Sequence, residues 1–475
     1  MSHMLYDLVV IGSGPAGQKA ALNAAKLGKT VAVVERPAGV GGVCIHTGTI
    51  PSKAIREAVL HLTGLRERSV YGAGYTVKQD IQMADLLFRS HHVVRTEVDV
   101  INSQMHRNNI ALLQGTASFR DPHTIRIVNG DEVMEIRGQN VLIAVGALPA
   151  RPADVPFTPG KVIDSNELLD LAELPRSMCI VGGGVIGSEY ACMLAAVGVK
   201  VTLIESRPRL LEFVDDELAE NLQFRFRDMG IRLRLGESVS KIAIVDGHVE
   251  ATLASNKKIT ADSLMYCIGR QGATEALNLN AAGLTADNRG RMKVNEFYQT
   301  SVPHIYAAGD VIGFPALAAT SMEQGRLASA HMFHQLTQPA SPLYPIGIYT
   351  IPEISMVGQT EQELTKQNIP YESGLARYRE IARGQLIADP NGILKLLFHP
   401  ESRRLLGVHA IGTGATELIH IGQTVMAAGL PIDYFVESIF NYPTLAECYK
   451  VAALDGINRL RSAAPVVVEP QANAA

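Results

Sequence analysis

Apolar residues dominate from Leu5 to Ile11 and stop at Gly12-Ser13-Gly14-Pro15-Ala16-Gly17. A short apolar run closed by glycines predicts a buried strand turning sharply into a helix. The helix should stop at Gly28, and a second strand should end at Glu35. The plan recurs in CIVGGGVIGSEYACMLAAVGVKVTLIE, from Cys179 to Glu205. Gly12, Gly14, Gly17, Gly28 and Glu35 reappear as Gly182, Gly184, Gly187, Gly198 and Glu205, each 170 residues on.

Each repeated position has a physical task. The first glycine makes the tight turn, the second admits a pyrophosphate to the backbone, and the third lets helix and strand pack closely. The pyrophosphate then meets the unpaired N–H groups of a helix start. Glu35 and Glu205 lie 18 residues past their third glycine, where a carboxylate can bond a ribose hydroxyl. Two copies of this strand–helix–strand plan predict two dinucleotide folds.

Two further apolar stretches end in glycine: VLIAVG, from Val141 to Gly146, and the run through Ala307 and Ala308 to Gly309-Asp310. Asp310 reads either as a ligand-binding carboxylate or as a turn or capping residue before Val311. Prolines cluster at 149, 152, 156 and 159 and again at 339, 342 and 345. They mark boundaries. Both glycine-ended stretches resemble motifs that close the FAD domain of the glutathione-reductase superfamily. That resemblance implies 1–150 and 276–343 as one split nucleotide domain, 151–275 as a second inserted in it, and 344–475 as a C-terminal α+β domain.

Composition narrows the class. With 475 residues, 47 % hydrophobic and 19 % charged, the chain should form about two to four globular domains. A net charge of −4 gives no reason to expect nucleic acid or an anionic membrane as partner. No apolar run suits a membrane helix. Met1-Ser2-His3 reads as a cloning remnant, and the strand at Leu5 leaves no room for a signal peptide. The five cysteines, Cys44, Cys179, Cys192, Cys267 and Cys448, are odd in number and contain no Cys-x-x-Cys pair. They predict neither a disulfide framework nor a metal site, and a reducing cytoplasm as location.

Residues 41–53 read GGVCIHTGTIPSK. Pro51 suits the first turn of a helix, so Thr49 should lie near its N-terminus. A thiol there would have a depressed pKa, whereas a hydroxyl gains no such chemistry. His46 reads as a loop residue and Cys44 as a small hydrophobe. Further on, Tyr442-Pro443-Thr444-Leu445-Ala446-Glu447 contains Thr-x-x-Glu, which also spells a capping box for the last long helix.

These segments resemble the pyridine nucleotide–disulfide oxidoreductases. In that superfamily the first stretch carries two cysteines, the redox disulfide, and the second begins with a catalytic histidine. Here Thr49 replaces the second cysteine and Tyr442 the histidine, and tyrosine with its pKa near 10 is a poor proton acceptor. Both losses together resemble the soluble pyridine nucleotide transhydrogenases, over roughly residues 5 to 460; GIYTIPEIS, ELIHIGQ and FNYPT look like that family too.

The resemblance implies FAD in the first fold, on Gly12, Gly14, Gly17, Glu35, Gly146 and Asp310, the last at the ribityl chain. It implies that Lys53 pairs with Glu189 beside the flavin, with Thr49 nearby, although a carboxylate in the first helical turn also suits the helix dipole. NAD or NADP should bind on Gly182, Gly184, Gly187, Glu205, Arg207 and Gly269. Arg207, and less directly Arg209, would answer the 2′-phosphate of NADP; both also read as solvated loop residues. With one nicotinamide site left, NADPH and NAD+ should visit in turn, exchanging hydride through the flavin in a homodimer or higher oligomer. The rivals are an NAD(P)H:quinone or dye reductase on this scaffold and a non-catalytic flavoprotein redox sensor.

Overall fold

The computed structural model describes residues 4–335 and 338–463. Met1-Ser2-His3 and the tail beyond 463 lie outside the described residues. The chain divides into two compact units: Met1–Thr63, Lys78–Ser206 and Glu237–Pro342 form one, and Gly64–Val77, Arg207–Gly236 and Leu343–Ala475 the other. Among the described residues no helix is long and apolar enough to cross a membrane.

The first unit holds two sheets with parallel cores. In one, Met4–Ile11 lies between Val31–Glu35 and Glu132–Ile143, parallel to both. Ala111–Gln114 extends it beyond Val31–Glu35, also in parallel. The late strand Ile305–Ala307 adds to Glu132–Ile143 in parallel, with Ile305 opposite Val141. In the other sheet Ser177–Val181 lies between Lys200–Glu205 and Ser263–Tyr266, all parallel. The second sheet is therefore built from chain that interrupts the first. Outgoing Ala147–Pro149 and returning Arg270–Gly272 pair with each other as an antiparallel ribbon.

Burial explains the apolar runs. Leu8, Val9, Val10, Val33, Leu142 and Ile180 are completely buried, as strands covered on both faces require. Helix Pro15–Lys26 starts on the proline and buries Ala16, Ala20, Ala21 and Ala24. These small residues admit helix Ala318–Met332 so closely that a Cβ on Gly325 would lie 2.0 Å from the Ala16 carbonyl oxygen. Gly28 and Gly198 follow the two glycine-motif helices with φ of +74° and +95°, the left-handed stop expected.

The second unit is an α+β structure. Ile346–Ile348, Ile354–Gly358, Leu405–Ile411, Ile393–Phe398 and Glu372–Arg377 neighbour one another in that order, all antiparallel. One face packs Leu394, Leu396, Phe398 and Val408 against Phe435 and Tyr449. The Tyr449 hydroxyl donates to Leu418 O (2.8 Å) and accepts the Gly422 N–H (3.0 Å), satisfying a buried phenol. The last helix is Glu447–Ala463. The expected capping box does not form. Thr444 Oγ1 donates instead to Asn441 O (2.7 Å), and the buried Glu447 Oε2 meets no partner among the described residues. The helix starts at the glutamate itself, too late for a reciprocal pair with Thr444.

Candidate functional site

The two glycine turns are superimposable in their contacts. Gly12 and Gly182 have φ of +102° and +115°, which L side chains rarely adopt. A Cβ on Gly17 would lie 2.0 Å from Gly12 O, and one on Gly187 1.9 Å from Gly182 O. The middle glycines, Gly14 and Gly184, face open space, with no atom within 4 Å of an added Cβ. Each is the N-cap of its helix, and neither helix has a side-chain cap hydrogen bond. Two helix starts thus present uncapped N–H groups beside an open approach, which fits an anionic group.

The strand-end carboxylates repeat as well. Glu35 Oε2 accepts the Ser13 N–H (2.7 Å) and Ser13 hydroxyl (2.9 Å). Glu205 Oε2 accepts the Gly183 N–H (2.7 Å), and its Oε1 accepts the Ser206 hydroxyl (3.1 Å). Each is anchored to the residue between the first two glycines of its own turn.

The 41–53 segment packs against the first turn. Gly41 N–H donates to Ser13 Oγ (2.9 Å), and a Cβ on Gly42 would lie 3.1 Å from Gly14 Cα. His46 is not in a loop but ends a short helix, Gly42–His46, its ring Nε2 paired with Val40 O at 2.8 Å. Thr49 opens helix Thr49–Thr63 and hydrogen-bonds the Cys44 side chain. Burial pushes the Cys44 thiol up against the opposing pull of that hydrogen bond. One turn on, Lys53 Nζ lies 2.8 Å from Glu189 Oε2 and 3.0 Å from Oε1, joining residues 136 positions apart. The Glu189 side chain is 5 % exposed and that of Lys53 26 %. A buried carboxylate is thereby paired, and the lysine remains partly exposed.

Gly146 (φ +68°) and Gly269 (φ +83°) sit where the chain leaves and re-enters along the antiparallel ribbon, and Ala150 N–H donates to Gly269 O (3.2 Å). Asp310 follows Gly309, whose N–H donates to Gln324 Oε1 (2.8 Å). Burial raises the Asp310 pKa against the lowering effects of Arg270 and the Ser321 hydroxyl. Asp310 also opens the short turn Asp310–Ile312, which is the turn reading of the sequence.

Arg270 escaped the motif reading. Its guanidinium donates to Ala147 O, while its Nε–H is buried and meets no acceptor among the described residues. Burial depresses its pKa, offset by Asp310 and Asp164, but arginine stays charged at any physiological pH. A desolvated cation with an orphaned donor again fits an anionic ligand. The available signal was an arginine directly after the apolar run and Gly269.

The remaining candidates lie in the second unit. Arg207 Nη1 is 3.3 Å from Glu212 Oε2, and Arg209 pairs with Asp216. The Tyr442 side chain is exposed rather than buried in this chain.

Residues 6–325 match the family described as pyridine nucleotide-disulphide oxidoreductase, and residues 344–453 match its dimerisation domain. A soluble pyridine nucleotide transhydrogenase of Mycobacterium tuberculosis is 54 % identical over 459 residues, covering 96 % of this chain and 98 % of the relative. That of Colwellia psychrerythraea is 45 % identical over 460 residues, with the same coverages. Among solved structures, the HOCl-induced flavoprotein disulfide reductase RclA from Escherichia coli superimposes with a TM-score of 0.85 at 29 % identity. It covers 94 % of this chain and 99 % of its own.

Proposed function

Because the chain belongs to the pyridine nucleotide-disulphide oxidoreductases, we propose that its two nucleotide folds serve a soluble pyridine nucleotide transhydrogenase, exchanging hydride between NADPH and NAD+. One observation carries the choice within the family: the side chain facing Cys44 is the Thr49 hydroxyl, not a second thiol. A single thiol cannot store two electrons as an internal disulfide, so this scaffold lacks the usual route from dinucleotide to disulfide substrate.

FAD fits the first fold, where it would supply a ring that takes a hydride from one nicotinamide and gives it to another. Gly12, Gly14 and Gly17 would admit its pyrophosphate to the first helix start, with Arg270 as counter-charge and Glu35 on a ribose hydroxyl. Gly146 and Asp310 would hold the ribityl side. Gly182, Gly184, Gly187, Glu205 and Gly269 would hold the visiting dinucleotide, and Arg207, two residues after Glu205, its 2′-phosphate when present. Lys53 keeps a cation near the reacting ring, where it would stabilise developing negative charge. Glu189 holds that cation in place, and Thr49 fills the second-cysteine position without redox chemistry. In this reading residues 1–150 and 276–343 form the FAD domain, 151–275 the NAD(P) domain and 344–475 a homodimerising domain, and the free cysteines suit the cytoplasm.

The test is turnover of the FAD-loaded enzyme with NADPH and a spectrally distinct NAD+ analogue. Reduction of the analogue is expected, with parallel double-reciprocal lines because one pocket serves both dinucleotides in turn. Intersecting lines would mean two nicotinamide sites. Turnover with quinones but not with the analogue would replace this proposal by the reductase.

A further inference from the structure

The second unit contains a buried charge cluster outside the residues just assigned. Lys395 lies mid-strand with its side chain 2 % exposed. Its Nζ is 2.9 Å from Asp215 Oδ1, 3.1 Å from Glu217 Oε2 and 3.0 Å from Glu361 Oε1. Across the sheet its register partner is His409, fully buried, with Nε2 against Gln359 O at 2.9 Å. Asp215 is itself 1 % exposed, caps the helix Asp216–Asp228 and reaches the start of a second helix, Glu361–Lys366. Its Oδ1 accepts the Glu217 N–H (3.2 Å) and its Oδ2 the Glu361 N–H (3.4 Å).

The acidic run Asp215-Asp216-Glu217 opens helix Asp216–Asp228, and its members point in different directions. Asp215 and Glu217 meet Lys395, while Asp216 between them meets Arg209. The lysine therefore fixes the rotation of the helix start, and that rotation presents Asp216 to the arginine. The segment in between is short and pinned. Leu210, Leu211 and Val214 are buried, Leu210 N–H donates to Gln223 Oε1 (3.2 Å), and Arg207 O accepts the Gly236 N–H (2.9 Å). Removing the lysine would leave three converging carboxylates without their shared cation, two of them on the helix that ends this segment.

We propose that Lys395 is a positioning residue for the Arg207–Arg209 segment, and through it sets the preference for NADP(H) over NAD(H). The proposal rests on the reading of Arg207 as the 2′-phosphate ligand. A phosphate held by a forked guanidinium depends on the orientation of the fork, whereas a ribose hydroxyl on Glu205 makes no use of it. Displacing the segment thus weakens one dinucleotide and spares the other.

The experiment measures dissociation constants of NADPH and NADH for the FAD-loaded enzyme and its variants. Lys395→Met should weaken NADPH by about tenfold, the loss of roughly one good hydrogen bond to a charged group, and leave NADH within about twofold. Losing a positive charge alone could weaken NADPH, so Lys395→Met/Asp215→Asn keeps the net charge. It also removes the buried pair together, so that it folds where the single variant fails. The same shift in the NADPH-to-NADH ratio is expected, with Lys395→Arg retaining the original ratio. An unchanged ratio in the charge-balanced variant overturns the proposal. Arg207→Ala separates the two failures: if it too leaves the ratio unchanged, the phosphate reading has failed, and if it alone shifts the ratio, only the role of Lys395 has.

Discussion

The second and third glycines of the turn at 182–187 should separate folding from binding when each is replaced by alanine. At Gly187 the new Cβ would stand 1.9 Å from Gly182 O and 3.0 Å from Cys267 Sγ. Contacts under 3.0 Å are essentially never seen, so helix and turn must part by about 1.1 Å. The obstruction is backbone and cannot rotate away. Overpacking of this kind costs about 1–3 kcal/mol, with the upper end expected here. At Gly184 nothing lies within 4 Å and φ is −76°, so alanine fits. Its cost to the fold is limited to a poorer N-cap, about 1 kcal/mol or less. The methyl group would, however, stand in the open approach to the helix start. Displacing the pyrophosphate from one charge-assisted hydrogen bond costs about 1.5–3 kcal/mol, or roughly ten- to hundredfold in affinity. The assay pairs thermal unfolding with NADH titration of the FAD-loaded enzyme. Gly187→Ala should melt several degrees lower; Gly184→Ala should melt nearly as the parent does and bind NADH at least about tenfold more weakly. Parent-like NADH affinity in Gly184→Ala would refute the placement of the pyrophosphate, and a parent-like melt in Gly187→Ala would refute the packing argument.

Three further outcomes follow from individual groups. Burial holds the Cys44 thiol above its ordinary pKa of 9.0 despite the Thr49 hydrogen bond, so at pH 7.5 iodoacetamide should label it more slowly than glutathione; labelling at the glutathione rate would show an accessible thiolate. Burial pushes the Asp215 pKa up, but the charges of His409 and Lys395 together with the hydrogen bonds from Lys395 and the Glu361 N–H bring it below the ordinary 3.8. Its stabilising contribution is complete above that value and disappears as pH falls through the depressed one, so acid unfolding should be steeper in the parent than in Asp215→Asn. Finally, Arg207→Ala should weaken NADPH by about ten- to hundredfold and NADH hardly at all, measured by titration; equal losses would move the discrimination elsewhere.

What could be read from the chain depended on how local each constraint is. The glycine turns were legible because tight turn, open approach and close packing fall on three positions within six residues, with the outer two closed to any Cβ. The insertion of one fold in another was legible only through the resemblance of Val141–Gly146 and Thr300–Asp310 to family motifs, with the prolines marking the boundaries. Lys53 and Glu189, 136 positions apart, were paired only because both sit at fixed offsets in recognisable segments. Arg270 carries no such offset, and its burial arises from the antiparallel ribbon between two distant crossings of the chain. Lys395 was hidden differently: Ile393–Phe398 reads as an apolar strand with one lysine, which an amphipathic sheet would turn to water. The opposite face is covered instead, and the lysine finds its partners 180, 178 and 34 positions away. Thr444 and Glu447 show the reverse error, a local pattern overridden when Asn441 O takes the threonine hydroxyl.

The anchoring of Glu205 bears on how one pocket could take both dinucleotides. A carboxylate at that position favours a ribose 2′-hydroxyl and repels a 2′-phosphate. A mobile glutamate could swing away when the phosphate arrives. Glu205 is 4 % exposed, with one oxygen on the Gly183 N–H and the other on the Ser206 hydroxyl. Moving it would leave a buried backbone N–H without an acceptor inside the glycine turn proposed to hold the dinucleotide. That loss costs about 1–3 kcal/mol and would fall on NADPH binding alone. Accommodation by adding positive charge has no such cost. Dual use of the pocket therefore calls for a fixed carboxylate balanced by arginines that follow it in the chain, rather than for a carboxylate that retreats.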